Sequence, residues 1–150
     1  MLTRYGYLED AMKMITKREA PSWGYWVETM GYTTLPETWT FSPEFRDASL
    51  NHVFMGDVSA WMMNQLAGIN YDEQQPGFRH IRFTPHFPAD MQWAKGSYDA
   101  VAGEISSEWK RTEEGKIQLT VKMPLGCTGE LVLDGKTVDL TAGTHQIVVP

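Results

Sequence analysis

The polar stretch NYDEQQPG, residues 70–77, separates two parts of the sequence that differ in their pattern of apolar residues. The stretch ends in Pro-Gly, a pair typical of turns and linkers. Before it, apolar residues recur at intervals of three and four, which is typical of helices; after it, they alternate with polar residues, which is typical of strands. We therefore predict a helical part over residues 1–70, a linker over 71–77 and a β-structured part over 78–150.

In the first part, the strongest helix is predicted over residues 49–67, where apolar side chains recur at helical spacing. We expect Ser49 or Asp47 to cap its start and Gly68 to stand just past its end. Trp61 lies on the apolar face of this helix and is expected in the core. Two further helices are predicted, over residues 7–16 and 24–30. A long polar loop is predicted over residues 33–47.

The second part is predicted to form an antiparallel β-sandwich of six or seven short strands. Its clearest strand is KIQLTVKM, residues 116–123, in which apolar and polar residues alternate strictly. The pair Asp134-Gly135 separates two short runs and predicts a hairpin. The strands are expected at residues 79–83, 93–101, 116–123, 130–133, 137–140 and 145–149. An α+β chain is therefore predicted.

Composition excludes several classes of function. The net charge is −6 over 150 residues, which disfavours nucleic acid as a partner. No apolar run approaches the ~20 residues of a membrane span. The only cysteine, Cys127, rules out an internal disulfide and is expected to be an ordinary loop or strand thiol. The four histidines, His52, His80, His86 and His145, lack the spacing of a metal site, and no nucleotide-binding motif is present. No cofactor or metal is predicted.

Aromatic residues and methionines are concentrated before the linker. Residues 1–70 hold four of the six Trp and seven of the nine Met. Three helices enclose little core by themselves, so we expect this layer to bury one face against something absent from the chain. An exposed face of that kind predicts dimerisation or aggregation.

The segment 21–61 is the one that suits sugar chemistry. It contains PSWGYW, then TTLPETW, then SLNH, and aromatic faces stack on sugar rings. Glu37 lies two residues before Trp39 in a loop, which suits a general base. Glu28 and Glu44 are rival carboxylates, and His52 at the start of the strong helix is also explained by helix initiation alone.

The order PSWGYW, TTLPETW, SLNH, WMMNQLAGI and GFRHIRFTPHF resembles the C-terminal part of bacterial α-L-rhamnosidases of glycoside hydrolase family seventy-eight. The resemblance covers nearly the whole chain and is most specific over the first 110 residues. It implies the last helices of an (α/α)6 barrel of six helical hairpins, followed by a C-terminal β-sandwich. It also implies that the chain begins inside a barrel, as a fragment or from an alternative start.

The resemblance implies hydrolysis of terminal α-L-rhamnose with inversion, without cofactor or metal, on a rhamnose-containing glycoside or polysaccharide. Glu37 matches the general base, Trp39 a wall of the site and His52 a contact to rhamnose. Pro36 stands where the family often has Trp. The resemblance also implies a general acid upstream of these residues, so the 150 residues alone are expected to hydrolyse nothing.

Two other functions stay open at this point. The β-structured part could act as a carbohydrate-binding or structural module, and the helices could belong to an unrelated sugar epimerase or lyase. The residues do not decide between cytoplasmic, periplasmic and extracellular locations, and they leave the aglycone open.

Overall fold

The helical residues begin with a 3₁₀ turn at Leu2–Tyr5 and helix α1 at Leu8–Thr16. The structure is a computed structural model that describes residues 1–39 and 48–150, divided into two units, Met1–Ala60 and Trp61–Pro150. In α1, Ala11 is buried, and the residues at helical spacing around it, Leu8, Met12 and Ile15, are half-buried. The predicted first helix and its apolar face are confirmed.

The second predicted helix is present as a π-helical turn at Tyr25–Thr29. Ser22 is buried, and its hydroxyl accepts the Tyr25 N–H at 2.9 Å while donating to the Lys17 carbonyl. Gly24 lies so close to the end of α1 that a Cβ there would stand 2.6 Å from the Thr16 carbonyl oxygen. A glycine is therefore required where PSWGYW folds back on α1.

Helix α2 spans Val53–Trp61, so the predicted start at Ser49 is wrong by four residues. Residues 49–52 instead pair with residues 35–37: the Glu37 N–H donates to the Ser49 carbonyl and the His52 N–H to the Leu35 carbonyl, both at 2.9 Å. The Ser49 hydroxyl accepts the Asn51 N–H within this segment and does not cap α2. The other expected cap, Asp47, lies outside the described residues, as does the second half of the predicted loop.

After Trp61 the helix continues as a π-helix over Met62–Ala67 and ends at Gly68, whose φ is 75°. That left-handed conformation favours glycine, as predicted. A Cβ at Gly68 would also lie 2.2 Å from the Pro85 nitrogen, and the Gly68 carbonyl accepts the Thr84 N–H at 2.8 Å. Thr84 and Pro85 thus pack against the end of this helix.

The second unit contains two four-stranded sheets. The first has the order β1-β2-β6-β7 and the second β3-β4-β5-β8. All strand pairs are antiparallel except β2 with β6, which is parallel. The strands are β1 Ile69–Tyr71, β2 His80–Phe83, β3 Trp93–Ala100, β4 Gly103–Arg111, β5 Ile117–Met123, β6 Thr128–Leu133, β7 Lys136–Leu140 and β8 Gly143–Val149. The chain is therefore mixed helix and sheet, as predicted.

Alternation decides which strand residues enter the core. In β5 the residues Ile117, Leu119, Val121 and Met123 are all buried, as the sequence predicts. The two sheets meet where Met123 of β5 approaches β6: a Cβ on Gly129 would lie 2.5 Å from the Met123 sulfur. Glycine in β6 therefore makes room for the facing methionine.

Two strands were not expected from the sequence. Strand β1 has only three residues, and β4 has polar residues at its outward positions and at two positions of its inward row, Ser107 and Arg111. Between Ile105 and Trp109, which are fully buried, the Ser107 hydroxyl is also buried and has no hydrogen-bond partner among the described residues. Trp109 donates its indole N–H to the Leu66 carbonyl at 2.8 Å.

The predicted hairpin at Asp134-Gly135 is confirmed. Asp134 has φ 49° and Gly135 has φ 74°, the two positive values that the tight hairpin turn requires. The pair joins β6 to β7. Within the described ranges, no helix is both long and apolar enough to cross a membrane.

Candidate active site

Glu37 is held by the pairing of residues 35–37 with residues 49–52. Its Oε2 accepts the backbone N–H of Ser49 at 3.0 Å, and its own N–H donates to the Ser49 carbonyl. The preceding residue, Pro36, is fully buried. Pro36 lacks an N–H, and this pairing does not need one, since its backbone donors come from residues 37 and 52.

The pairing brings His52 to Glu37 although fifteen positions separate them in the sequence. The His52 Nε2 lies 4.0 Å from the Glu37 Oε1, which is too long for a direct hydrogen bond. The side chains of His52 and Glu37 are 26% and 38% exposed respectively, so both are partly open to solvent. Oε1 thus faces His52, while Oε2 accepts the backbone N–H of Ser49.

His52 also starts helix α2. Its Nδ1 accepts the N–H of Phe54, the second residue of the helix, at 3.2 Å. This is the hydrogen bond made by a side chain at the helix N-cap, so the interpretation of His52 as part of helix initiation agrees with the structure. A backbone N–H only donates, so Nδ1 is the acceptor and the neutral ring carries its proton on Nε2, toward Glu37.

Trp39 belongs to a cluster of three indoles. It stacks on Trp26 with ring centroids 4.3 Å apart and an interplanar angle of 20°, and it meets Trp23 edge to face at 4.8 Å. Trp26 is only 2% exposed, and Trp23 donates its indole N–H to the Met55 carbonyl at 2.8 Å. Trp39 itself is half-buried, so the two other indoles fix a ring that solvent still reaches.

The rival carboxylates are placed differently. Glu28 accepts an ion pair from Arg18 at 2.7 Å, with more than half of each side chain exposed. Glu44 lies outside the described residues. Among the glutamates compared, Glu37 is the one that the structure brings beside both a histidine and an aromatic cluster.

Sequence reasoning missed the residues that support the site. Ser49 supplies the backbone donor to Glu37, and Trp26 supplies the surface on which Trp39 stacks. Both lie inside the motifs SLNH and PSWGYW, but neither periodicity nor spacing distinguishes them from their neighbours. Only their hydrogen bond and stacking distance do.

Trp61 is half-buried rather than fully in the core, and no residue of α2 is buried. Val53 and Phe54 are 79% and 72% exposed. The predicted unburied apolar face is therefore present on the described helix. Cys127 is buried, as an ordinary structural thiol is expected to be. In the described ranges, no three side chains that bind metals lie together.

Comparison with known proteins matches the helical part and the β-structured part of the chain to two different domains. Residues 1–66 match the bacterial alpha-L-rhamnosidase 6 hairpin glycosidase domain, and residues 68–148 match the bacterial alpha-L-rhamnosidase C-terminal domain. An alpha-L-rhamnosidase of Formosa agariphila is 31% identical over 137 residues, which are 89% of this chain and 14% of that protein. One from Streptomyces avermitilis is 28% identical over 157 residues, covering 99% of this chain and 15% of that protein.

Solved structures show the same relationship. The native rhamnosidase of Aspergillus terreus matches with a TM-score of 0.89 and 28% identity, over 99% of this chain and 18% of that one. The Streptomyces avermitilis alpha-L-rhamnosidase complexed with L-rhamnose matches with a TM-score of 0.87 and 25% identity, over 99% of this chain and 17% of that one. The chain thus spans about 15% of the length of the curated relatives. Since both parts of the sequence match domains of one kind of protein, the chain belongs to the bacterial α-L-rhamnosidase family.

Proposed function

We propose that these 150 residues act as the C-terminal part of an inverting α-L-rhamnosidase that removes terminal α-L-rhamnose from glycosides or polysaccharides. They supply the general base, Glu37, and two substrate contacts, Trp39 and His52. The observation that carries this proposal is the Glu37 carboxylate, with one oxygen bound by the Ser49 N–H and the other facing His52. Family membership supports the choice of rhamnose.

The carboxylate geometry suits the activation of water. A general base acts in its carboxylate form, and the backbone N–H of Ser49 occupies Oε2 of Glu37. Oε1 keeps its lone pairs for a water proton, and the 4.0 Å gap to His52 Nε2 is of the size that a bridging water spans. Glu37 therefore deprotonates the water that attacks the anomeric carbon.

Inversion requires a second carboxyl on the opposite face of the sugar, roughly 6.5–9.5 Å from the first. We propose that this general acid comes from residues outside the chain. Trp39, fixed by Trp26, offers its ring to the apolar face of rhamnose, and the Nε2–H of His52 donates to a sugar hydroxyl. The 150 residues alone then bind rhamnose weakly and lack half of the acid–base pair.

The same proposal accounts for the helices. The sequence predicted helices over residues 1–70, a linker at 71–77 and strands over 78–150, but residues 69–71 form strand β1 of the first sheet. We infer that the helices before Gly68 are the last helices of an (α/α)6 barrel and that the two sheets after it form a β-sandwich. The match to the 6 hairpin domain over residues 1–66 and the exposed side chains of α2 support this inference. The remaining helices of such a barrel would cover Val53 and Phe54. A homodimer through the same face is the alternative, and size-exclusion chromatography of the chain distinguishes the two.

The test is Glu37→Gln in a full-length α-L-rhamnosidase that contains this segment, assayed on p-nitrophenyl α-L-rhamnoside. We expect kcat to fall by about 10²–10⁴-fold, the usual contribution of a general base. NMR of the first-formed sugar should show the β anomer. Glu28→Gln is the matched control, since Glu28 is exposed and paired with Arg18, and it should retain activity.

Three results would contradict the proposal. Full activity of Glu37→Gln would remove Glu37 from the chemistry, and initial release of the α anomer would exclude inversion. Hydrolysis by the purified 150-residue chain, abolished by Glu37→Gln, would show that the chain does not need an external acid.

A further inference from the structure

The outer face of the sheet β3-β4-β5-β8 carries a groove of about 520 Å³. Because β5 buries Leu119, its neighbours Gln118 and Thr120 point away from the core. Strand register places Glu108, Thr120 and Gln146 in one row across the sheet. The groove is lined by Glu108, Lys110, Gln118, Leu119, Thr120, Gln146, Ile147 and Val148. Its volume is within the range typical of small-molecule sites.

The polar side chains in this groove are free to bind a ligand. Within the described residues, no side-chain hydrogen bond engages Lys110, Gln118, Thr120 or Gln146. Two carboxamides, a hydroxyl and an ammonium group thus offer both donors and acceptors. Hydroxyl groups of a sugar need that combination, because each one donates and accepts.

The exposed indole of Trp93 lies at the end of a second row of residues across the sheet, next to the row of Glu108, Thr120 and Gln146. Trp93 pairs with Lys110, Lys110 with Gln118 and Gln118 with Val148. Trp93 is 65% exposed, while its neighbour Ala94 is buried. Two strand spacings, about 10 Å, separate Trp93 from Gln118. A ligand longer than one sugar ring reaches both.

The charges and the apolar content of the groove select the kind of occupant. Glu108 and Lys110 are the charged lining residues, and Lys95 at the margin lies 3.6 Å from Glu108. Two cations and one anion leave a single net positive charge, and one such charge is not the cluster of cations that complements a polyanion, so the groove suits a neutral ligand better. Among the lining residues, Val148 is the one exposed large apolar side chain, whereas protein interfaces usually have an apolar, aromatic-rich centre.

We propose that this groove binds a neutral oligosaccharide, with Trp93 stacked on one sugar ring and Gln118 and Gln146 bonded to hydroxyls of the next. The site is non-catalytic and would hold a polysaccharide chain by residues other than Glu37 and His52. Only the choice of rhamnose as the sugar rests on the proposed function.

The test is a ¹⁵N–¹H NMR titration of the complete 150-residue chain with an α-L-rhamnose tetrasaccharide. Tetragalacturonic acid, a polyanion of the same length, is the charged comparison. We expect backbone amides of β4, β5 and β8 to shift with the neutral probe. Trp93→Ala and the double variant Gln118→Ala/Gln146→Ala should each weaken binding roughly tenfold, as expected for loss of one stacked ring or two hydrogen bonds.

Matched controls separate this site from the proposed active site. Gln74→Ala removes an exposed carboxamide elsewhere in the same unit, and Glu37→Gln alters the proposed base; both should leave the groove shifts unchanged. Retained amide dispersion in each variant confirms folding. Absence of groove shifts with the neutral probe, a preference for tetragalacturonic acid, or shifts insensitive to Trp93→Ala and to the double variant would each overturn the proposal. Hydrolysis of rhamnosides is measured separately, with Glu37→Gln in the full-length enzyme, so failure of the groove and failure of the proposed function are distinguishable.

Discussion

His52 makes two side-chain contacts in this structure, and one pair of substitutions can separate its helix cap from its proposed contact to rhamnose. Its Nδ1 caps helix α2 by accepting the Phe54 N–H at 3.2 Å, and its Nε2 faces Glu37 at 4.0 Å. His52→Ala removes both functions. His52→Asn keeps a side-chain oxygen that caps helices well but removes the second ring nitrogen.

The size of each effect follows from the contacts. Loss of an N-cap costs about 1 kcal/mol, within a range of roughly 0.5–2. The His52 ring also meets the Phe54 ring edge to face at 4.3 Å and 72°. Such pairs contribute about 0.5–1.5 kcal/mol, and Phe54 is 72% exposed, which places this one at the lower end. We therefore expect His52→Ala to cost about 1.5 kcal/mol of unfolding free energy, and His52→Asn about 0.5 kcal/mol.

Two assays measure the two roles. Urea unfolding of the 150-residue chain, followed by far-UV circular dichroism, gives the free energies. Hydrolysis of p-nitrophenyl α-L-rhamnoside by a full-length enzyme that contains this segment gives kcat/KM. Loss of one donor to the sugar should lower kcat/KM roughly tenfold to a hundredfold in both variants.

The decisive comparison is the one between Asn and Ala. If His52 both caps α2 and contacts the sugar, His52→Asn retains most of the stability that His52→Ala loses but none of the activity. Equal stability losses would show that Nδ1 does not cap α2. Normal activity of His52→Asn would show that Nε2 does not act on the substrate and that the histidine serves the helix alone.

Three further predictions concern the second unit and its packing. Gly68→Ala should lower the unfolding free energy by about 2–5 kcal/mol in urea, because it combines a left-handed φ with the clash at Pro85. Its control is Gly77→Ala, which has φ 84° and open space around it and should lower that free energy by only about 1–2 kcal/mol. Equal losses in the two variants would refute the steric argument. Ser107→Ala should raise the unfolding free energy by about 1 kcal/mol because it removes a buried hydroxyl without a partner among the described residues, so a loss of stability would show that the hydroxyl is bonded. The Lys122 ammonium donates a hydrogen bond to the Glu104 carboxylate at 2.8 Å and lowers the pKa of that carboxyl. The stabilisation by this pair is therefore present above the ordinary pKa of glutamate and is lost as pH falls through the lowered value. The unfolding free energy measured across acid pH should show a small change that Glu104→Gln abolishes and that molar salt weakens by screening. The same pH dependence in Glu104→Gln would refute the role of this ion pair.

Local patterns predicted much of this fold. The alternation in KIQLTVKM gave the buried face of β5 correctly, and the turn at Asp134-Gly135 joins the two strands expected on either side of it. Gly68 closes its helix in the left-handed conformation, as expected. Each of these features depends on neighbouring residues only, because side-chain period and allowed φ are properties of short segments.

Other features depended on contacts between distant segments. Strand β4 was not predicted because a polar residue, Ser107, interrupts its apolar inward row. Ser107 is buried between Ile105 and Trp109, which are both fully buried. Helix α2 begins at Val53 rather than at the predicted Ser49 because the backbone of residues 49–52 is hydrogen-bonded to that of residues 35–37. The parallel pairing of β2 with β6 joins residues that are 48 positions apart, such as His80 and Thr128. No local period encodes such pairings.

The candidate site divides in the same way. Sequence alone determined the residue types: a glutamate beside a tryptophan in TTLPETW and a histidine in SLNH, which carried the resemblance to rhamnosidases. Tertiary structure alone decided that the Ser49 N–H binds one oxygen of Glu37, that the other oxygen faces His52, and that His52 also caps α2. The physical reason is that a catalytic carboxylate is defined by which of its oxygens is occupied and which is free. Hydrogen bonds between segments far apart in the chain make that distinction.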